Sequence, residues 1–113
     1  MDDLKHILFD NSRNPKAQFD TLRLEKIPSI KNLDHSPFSL HIVNFFILFF
    51  VEEGEGKHTI DFIDYPCQKG TILTIRKDQV HKFIKSENLK GSLLLFTDNF
   101  LVSYLEKLES QKS

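Results

Sequence analysis

Apolar and polar positions divide the chain into short runs of β period and one helical tail. Residues 1–18 are polar, and Asn11-Ser12-Arg13-Asn14-Pro15 reads as turn or arm rather than core. Phe19 to Ile27 (FDTLRLEKI) predicts a first strand, although it also holds residues that favour helix. Pro28 and the stretch from Asn32 to Pro37 then break the chain. Leu40 to Glu52 is the most apolar segment, and its paired aromatics and weak helical period predict a strand. Gly54-Glu55-Gly56 suits a tight hairpin reversal. Lys57 to Tyr65 (KHTIDFIDY) alternates, which puts His58, Ile60 and Phe62 on one side and Lys57, Thr59 and Asp61 on the other. Pro66 and Gly70 bracket another break. Thr71 to Ile75, Val80 to Ile84 and Ser92 to Phe96 are three further β-type runs. Short strands this closely spaced predict a barrel or sandwich rather than a βαβ sheet.

The period changes at the tail. Phe100, Leu101, Tyr104, Leu105 and Leu108 recur at helical spacing, with Thr97 or Asp98 as a natural N-cap. The expected organisation is an N-terminal arm (1–18), a β-barrel (19–97), and a helix with its tail (98–113). The long apolar segment has two apolar faces. His41, Val43, Phe45, Ile47 and Phe49 form one; Ile42, Phe46, Leu48 and Phe50 form the other, with Asn44 the exception. A water-facing antiparallel strand would be polar on one side. The C-terminal helix or a second subunit is therefore expected to cover the second face.

Composition narrows the class. A chain of 113 residues holds one domain of ordinary size, and a 40% apolar content with eleven Phe supplies a core without metal or disulfide staples. Net charge is −1 and no Lys/Arg block exceeds two residues, so the electrostatic footprint of duplex binding is missing. The single cysteine, Cys67, has no partner for an internal disulfide, which fits a reducing compartment. Met1-Asp2-Asp3-Leu4-Lys5-His6 is no signal-peptide start, and Phe45 to Val51 falls far short of the ~20 residues of a membrane-spanning helix. A cytoplasmic protein with no membrane partner is expected.

The run Leu33-Asp34-His35-Ser36-Pro37-Phe38, then His41, Phe45, Gly54-Glu55-Gly56-Lys57-His58, Ile60-Asp61-Phe62, Gly70, Ile72-Leu73 and Gln79-Val80-His81 resembles a known pattern. So does the exit through Gly91, Leu94-Leu95-Phe96-Thr97 and Phe100. The chain is similar to the cupin-type N-terminal sensor and dimerisation domain of AraC-family transcription regulators over roughly residues 19–105. The resemblance implies a mainly β, cupin-like double-stranded β-barrel (jelly roll) with a C-terminal amphipathic helix. It further implies a small-molecule effector in the barrel mouth, a homodimer joined through the helix, and DNA contact only through a helix-turn-helix half. No such half lies within these 113 residues, so an excised domain or a stand-alone relative is expected.

Metal-binding cupins present a His-x-His pair, a carboxylate shortly after it, and a later His. Laid on this chain, the pattern meets His41, then Val43, then Ile47, with His81 as the later His. Two imidazoles are one short of the usual three protein ligands, and His58 or a nearby acid would have to supply the third, so no metal and no cofactor are expected. His41 and His81 have two open readings: core histidines donating to backbone carbonyls, or the polar contacts of an apolar pocket. His35 caps the barrel mouth or sits in solvent, and His6 is exposed. Glu52, Glu53 and Glu55 flank a turn, and Asp61 and Asp64 belong to a polar strand side. Cys67 reads as a buried inert thiol, and no catalytic motif occurs.

The expected function is a non-enzymatic sensor whose pocket is lined by His41, Val43, Phe45, Ile47, His58, Ile60, Phe62, His81 and Phe83. A sugar is one option among effectors, but the chain has no Trp to stack on a sugar face. Phe100, Leu101, Tyr104, Leu105 and Leu108 form the expected dimer interface, with packing on the chain's own barrel as the alternative. The rival readings are a small metal-dependent cupin enzyme of isomerase or dioxygenase type, and a dimeric domain whose barrel is packed shut.

Overall fold

The computed structural model describes residues 4–11, 14, 16–30, 36–86 and 88–111. They form nine strands: β1 Lys5–Ile7, β2 Phe19–Arg23, β3 His41–Val43, β4 Phe46–Glu53, β5 Glu55–Ile60, β6 Ile63–Gln68, β7 Ile72–Ile75, β8 Val80–Phe83 and β9 Lys90–Phe96. A 3-10 helix, Leu24–Ser29, follows β2, and the helix α1, Asp98–Ser110, follows β9. Strand order is β1-β3-β8-β5-β6 in one sheet and β2-β9-β4-β7 in the other. The two sheets stay separate rather than closing into a continuous ring, which is the double-sheet jelly-roll solution to the exposed-edge problem. Val43, Ile60 and Phe83 of the first sheet are buried, as are Ile47, Phe49, Val51, Ile75 and Leu93 of the second.

Residue parity from His41 to Phe49 holds, since odd positions are buried and even ones half-buried or exposed. The expected single strand does not. It bends at Asn44-Phe45, so that β3 joins one sheet and β4 the other. Asn44, the polar exception in the pattern, is the corner: its N–H donates to Ile7 O at 3.1 Å, and its Oδ1 accepts from Phe9 N at 2.9 Å. A strand can thus serve two facing sheets with one buried side throughout.

Four other expectations change. Residues 1–18 are not all arm, because β1 pairs in parallel with β3, Lys5 opposite His41 and Ile7 opposite Val43. The first strand ends at Arg23, and LEKIPS coils as 3-10 helix with Leu24 and Ile27 buried. Gly54 crosses between sheets rather than closing a hairpin, since β4 and β5 lie in different sheets. Its φ of +88° and the Asn88 carbonyl, 2.0 Å from where a Cβ would sit, both require glycine. The true hairpin lies at Asp61-Phe62, whose φ values of 51° and 69° match the two positive angles of a type I′ turn. Asp61 is held there by its N–H donating to Val80 O at 2.7 Å, while its carboxylate accepts from Val80 N and Gln79 Nε2. Pro66 does not break its strand. It sits in β6, at the sheet edge, where a missing N–H costs no ladder bond to a further strand.

Helix α1 begins where expected, with Thr97 Oγ1 accepting from Phe100 N at 3.2 Å. Phe100 seats its first turn on the outer side of the second sheet, 5.3 Å from the Phe19 ring and 5.9 Å from that of Phe96. The ring of Phe96 in turn stacks on Phe46 at 5.3 Å. The helix therefore covers one end of the apolar second face, and Phe50 stays exposed. Among the described residues no helix is long and apolar enough to cross a membrane.

Candidate functional site

Three histidines meet on the inner side of the first sheet. His41 of β3 and His81 of β8 are direct cross-strand partners, and His58 of β5 lies diagonal to His81, being opposite Phe83. All three are buried. The His41 and His81 rings are 4.2 Å apart, and His58 Nε2 meets His81 Nδ1 at 3.1 Å. His41 Nδ1 lies 2.8 Å from Ser39 O; a carbonyl only accepts, so this nitrogen carries the proton. Of the two readings left open, the backbone-carbonyl bond is therefore what His41 makes, whereas His81 faces another imidazole. Burial, and secondarily the nearby His41, push the His58 pKa down to about 4, so the ring is neutral at pH 7. Its Nδ1 is buried without a hydrogen-bond partner among the described residues.

His58 Nε2 and His81 Nδ1 lie within hydrogen-bond distance of one another, at 3.1 Å. The remaining positions of the metal-cupin pattern are the buried side chains of Val43 and Ile47. Among the described residues no group of three or more His, Cys, Asp or Glu is placed to hold an ion.

Beside His58 opens a cavity of about 610 Å³. Its apolar wall comes from Leu24, Ile27 and Pro28 of the 3-10 helix, from Phe38 ahead of β3, and from Phe49 of β4. Phe83, Ile84 and Leu89 complete it, and Glu25, Lys57, Lys85 and Ser86 add polar groups. The Phe49 and Phe83 rings pack 5.0 Å and 4.6 Å from the His58 ring. Volume and lining fall within the usual range for small-molecule sites, which are mostly apolar with few polar groups.

Of the nine residues expected to line a pocket, His58 and Phe83 do so. His41, Val43, Phe45, Ile47, Ile60 and His81 are packed into the core instead. Phe62 is 71% exposed because the hairpin turn ends the alternation that was to carry it inward. His35 lies outside the described residues, and His6 is exposed. Phe49 was legible, since it shares the parity of His41 and Ile47. The 3-10 wall was not, because LEKIPS carries no local signal that it folds back over the sheet. Cys67 is buried and its thiol pKa is pushed up by burial, which leaves it an inert core group.

Two facing sheets, a buried inner layer and a C-terminal helix place the molecule in the cupin-like jelly-roll class. The sequence matches the AraC-like ligand binding domain over residues 29–113, and the chain belongs to that family. No curated protein sequence matches it. Among solved structures it is similar to the plu4264 protein from Photorhabdus luminescens, at 23% identity and a TM-score of 0.48, covering 83% of this chain and 88% of that one. A cupin protein from Bacteroides fragilis shows 14% identity and a TM-score of 0.49 over 73% of this chain and 80% of its own. The EutQ protein of Clostridium difficile shows 16% identity and a TM-score of 0.46 over 77% and 74%.

Proposed function

We propose that the chain is the effector-sensing and dimerisation domain of an AraC-type transcription regulator, cytoplasmic and without catalytic activity. One observation carries the reading: a largely apolar cavity of about 610 Å³ with the His58 imidazole in its wall. The working site is therefore His58, Phe83 and Phe49 with the 3-10 wall, a revision of the pocket expected from strand parity. Ligand binding there would bias the arrangement of β1 or of paired α1 helices, and so the spacing of DNA-reading halves carried on a separate helix-turn-helix segment. That shift can be no larger than the ligand's differential affinity for the two arrangements.

Native mass spectrometry tests this on the wild-type chain and on Ser86→Trp, which places bulk at the exposed cavity mouth. The expected result is a metal-free dimer that retains or takes up a small organic guest, with uptake lost in the variant while its circular dichroism is unchanged. One metal ion per chain would overturn the reading in favour of a metal-dependent cupin enzyme. Failure of any member of a fragment library to bind would overturn it in favour of a closed structural domain.

A further inference from the structure

We infer that the cavity takes an aromatic monocarboxylate, its ring among the cavity phenylalanines and its anionic head at Lys85; this rests on the sensing role proposed above. Lys85 Nζ lies 5.3 Å from the centroid of the Phe38 ring, and both residues line the cavity. The ion pairs among the described residues join Arg23 to Glu25 and Glu52, Lys77 to Asp98, and Lys90 to Glu53, and leave Lys85 out. Its charge is thus held beside an apolar space with no ion pair to an anion among the described residues.

Glu25, the one carboxylate among the described lining residues, does not fill that role. Its Oε2 accepts from Arg23 Nε at 2.9 Å and its Oε1 from Gly91 N at 3.2 Å. Lys57 lines the cavity as well, but Lys85 is the lysine whose ammonium lies over a lining aromatic ring, that of Phe38. Deeper in, Phe49 and Phe83 flank the neutral His58 ring, which favours a flat π-system over a branched polar body. A sugar would need many polar partners, and Ser86 Oγ is already donating to Glu55 O at 3.1 Å. A cationic guest would meet Lys85 as a like charge. An anionic head on an aromatic body satisfies both ends.

Three probes with one body separate the possibilities: phenylacetate, 2-phenylethanol and phenethylamine, titrated by calorimetry into wild type, Lys85→Met and Lys69→Met. Phenylacetate is expected to bind about two- to fivefold tighter than the alcohol, the ratio one favourable exposed charge contact supplies. The amine is expected not to bind. Lys85→Met should abolish the preference and Lys69→Met, an exposed lysine outside the lining, should keep it, with the preference shrinking as salt rises. Equal binding of acid and alcohol, or an unchanged preference in Lys85→Met, overturns the anionic class while leaving a ligand-binding cavity in place. If none of the three binds, the aromatic carboxylate is wrong, and guest uptake by wild type against Ser86→Trp decides separately whether the sensing role falls with it.

Discussion

His58 occupies a position where water is excluded and a proton is unwelcome. Its imidazole is 1% exposed, and desolvation with the neighbouring His41 brings its pKa from 6.5 down to about 4. The unfolded chain binds this proton near pH 6.5, whereas the folded one binds it only near pH 4. Between those values the unfolded state holds more protons, so stability rises with pH there; it is complete above 6.5 and falls as the pH drops toward 4. A gap of that size corresponds to on the order of 3 kcal/mol from this one group. His58→Phe is expected to destabilise the protein at pH 7, because His81 loses the bond at 3.1 Å, yet to show a shallower loss between pH 6.5 and 4.5. Urea midpoints of both proteins across that range check it, and parallel slopes would remove His58 as the titrating group.

At the scale of elements, local chemistry and distant contacts divide what is decided. Helix α1 is local: Thr97 caps it, and the same hydroxyl donates to Gln18 Oε1 at 2.8 Å, tying the helix start to the segment before β2. Thr97→Ala is expected to cost about 1 kcal/mol, as loss of an N-cap does, with lower helicity by circular dichroism. No change in either would mean that Phe100 alone anchors the turn. The strands were legible for the same reason, since alternation and β-branched or aromatic content act within a few residues. The corner at Asn44, the sheet crossing at Gly54 and the turn at Asp61-Phe62 were not. Each depends on a group far along the chain: Ile7 and Phe9, Asn88, and Val80 with Gln79. The candidate site divides likewise. Parity brings His41, His58 and His81 to one inner layer, but which of them faces a cavity depends on where the 3-10 helix folds back.

For the whole molecule, the unsettled surface is apolar and continuous in chemistry. The outer side of the β2-β9-β4-β7 sheet exposes Phe19, Phe50 and Ile72, the last at 62%. Helix α1 has no buried residue and exposes Val102, Tyr104, Leu105 and Leu108. A helix of 13 residues is marginal on its own in water, and its stability in proteins comes mainly from packing an apolar stripe. Phe100 packs its ring against the sheet in the first turn, and among the described residues Val102, Tyr104, Leu105 and Leu108 stay exposed. In the dimer proposed above, a second copy bringing an identical stripe would cover both helices at once with a two-fold interface. Leu105→Glu with Leu108→Glu would then set carboxylates against apolar partners at the centre of that contact. Loss of an interface anchor costs about 2 kcal/mol or more, which weakens dimerisation roughly thirtyfold. Sedimentation velocity at a concentration where the wild type is dimeric should show the double variant as a monomer, with reduced helicity because α1 loses its cover. A variant that stays dimeric with its helix intact would move the interface to the exposed face of the sheet, where Phe50→Glu is the corresponding substitution.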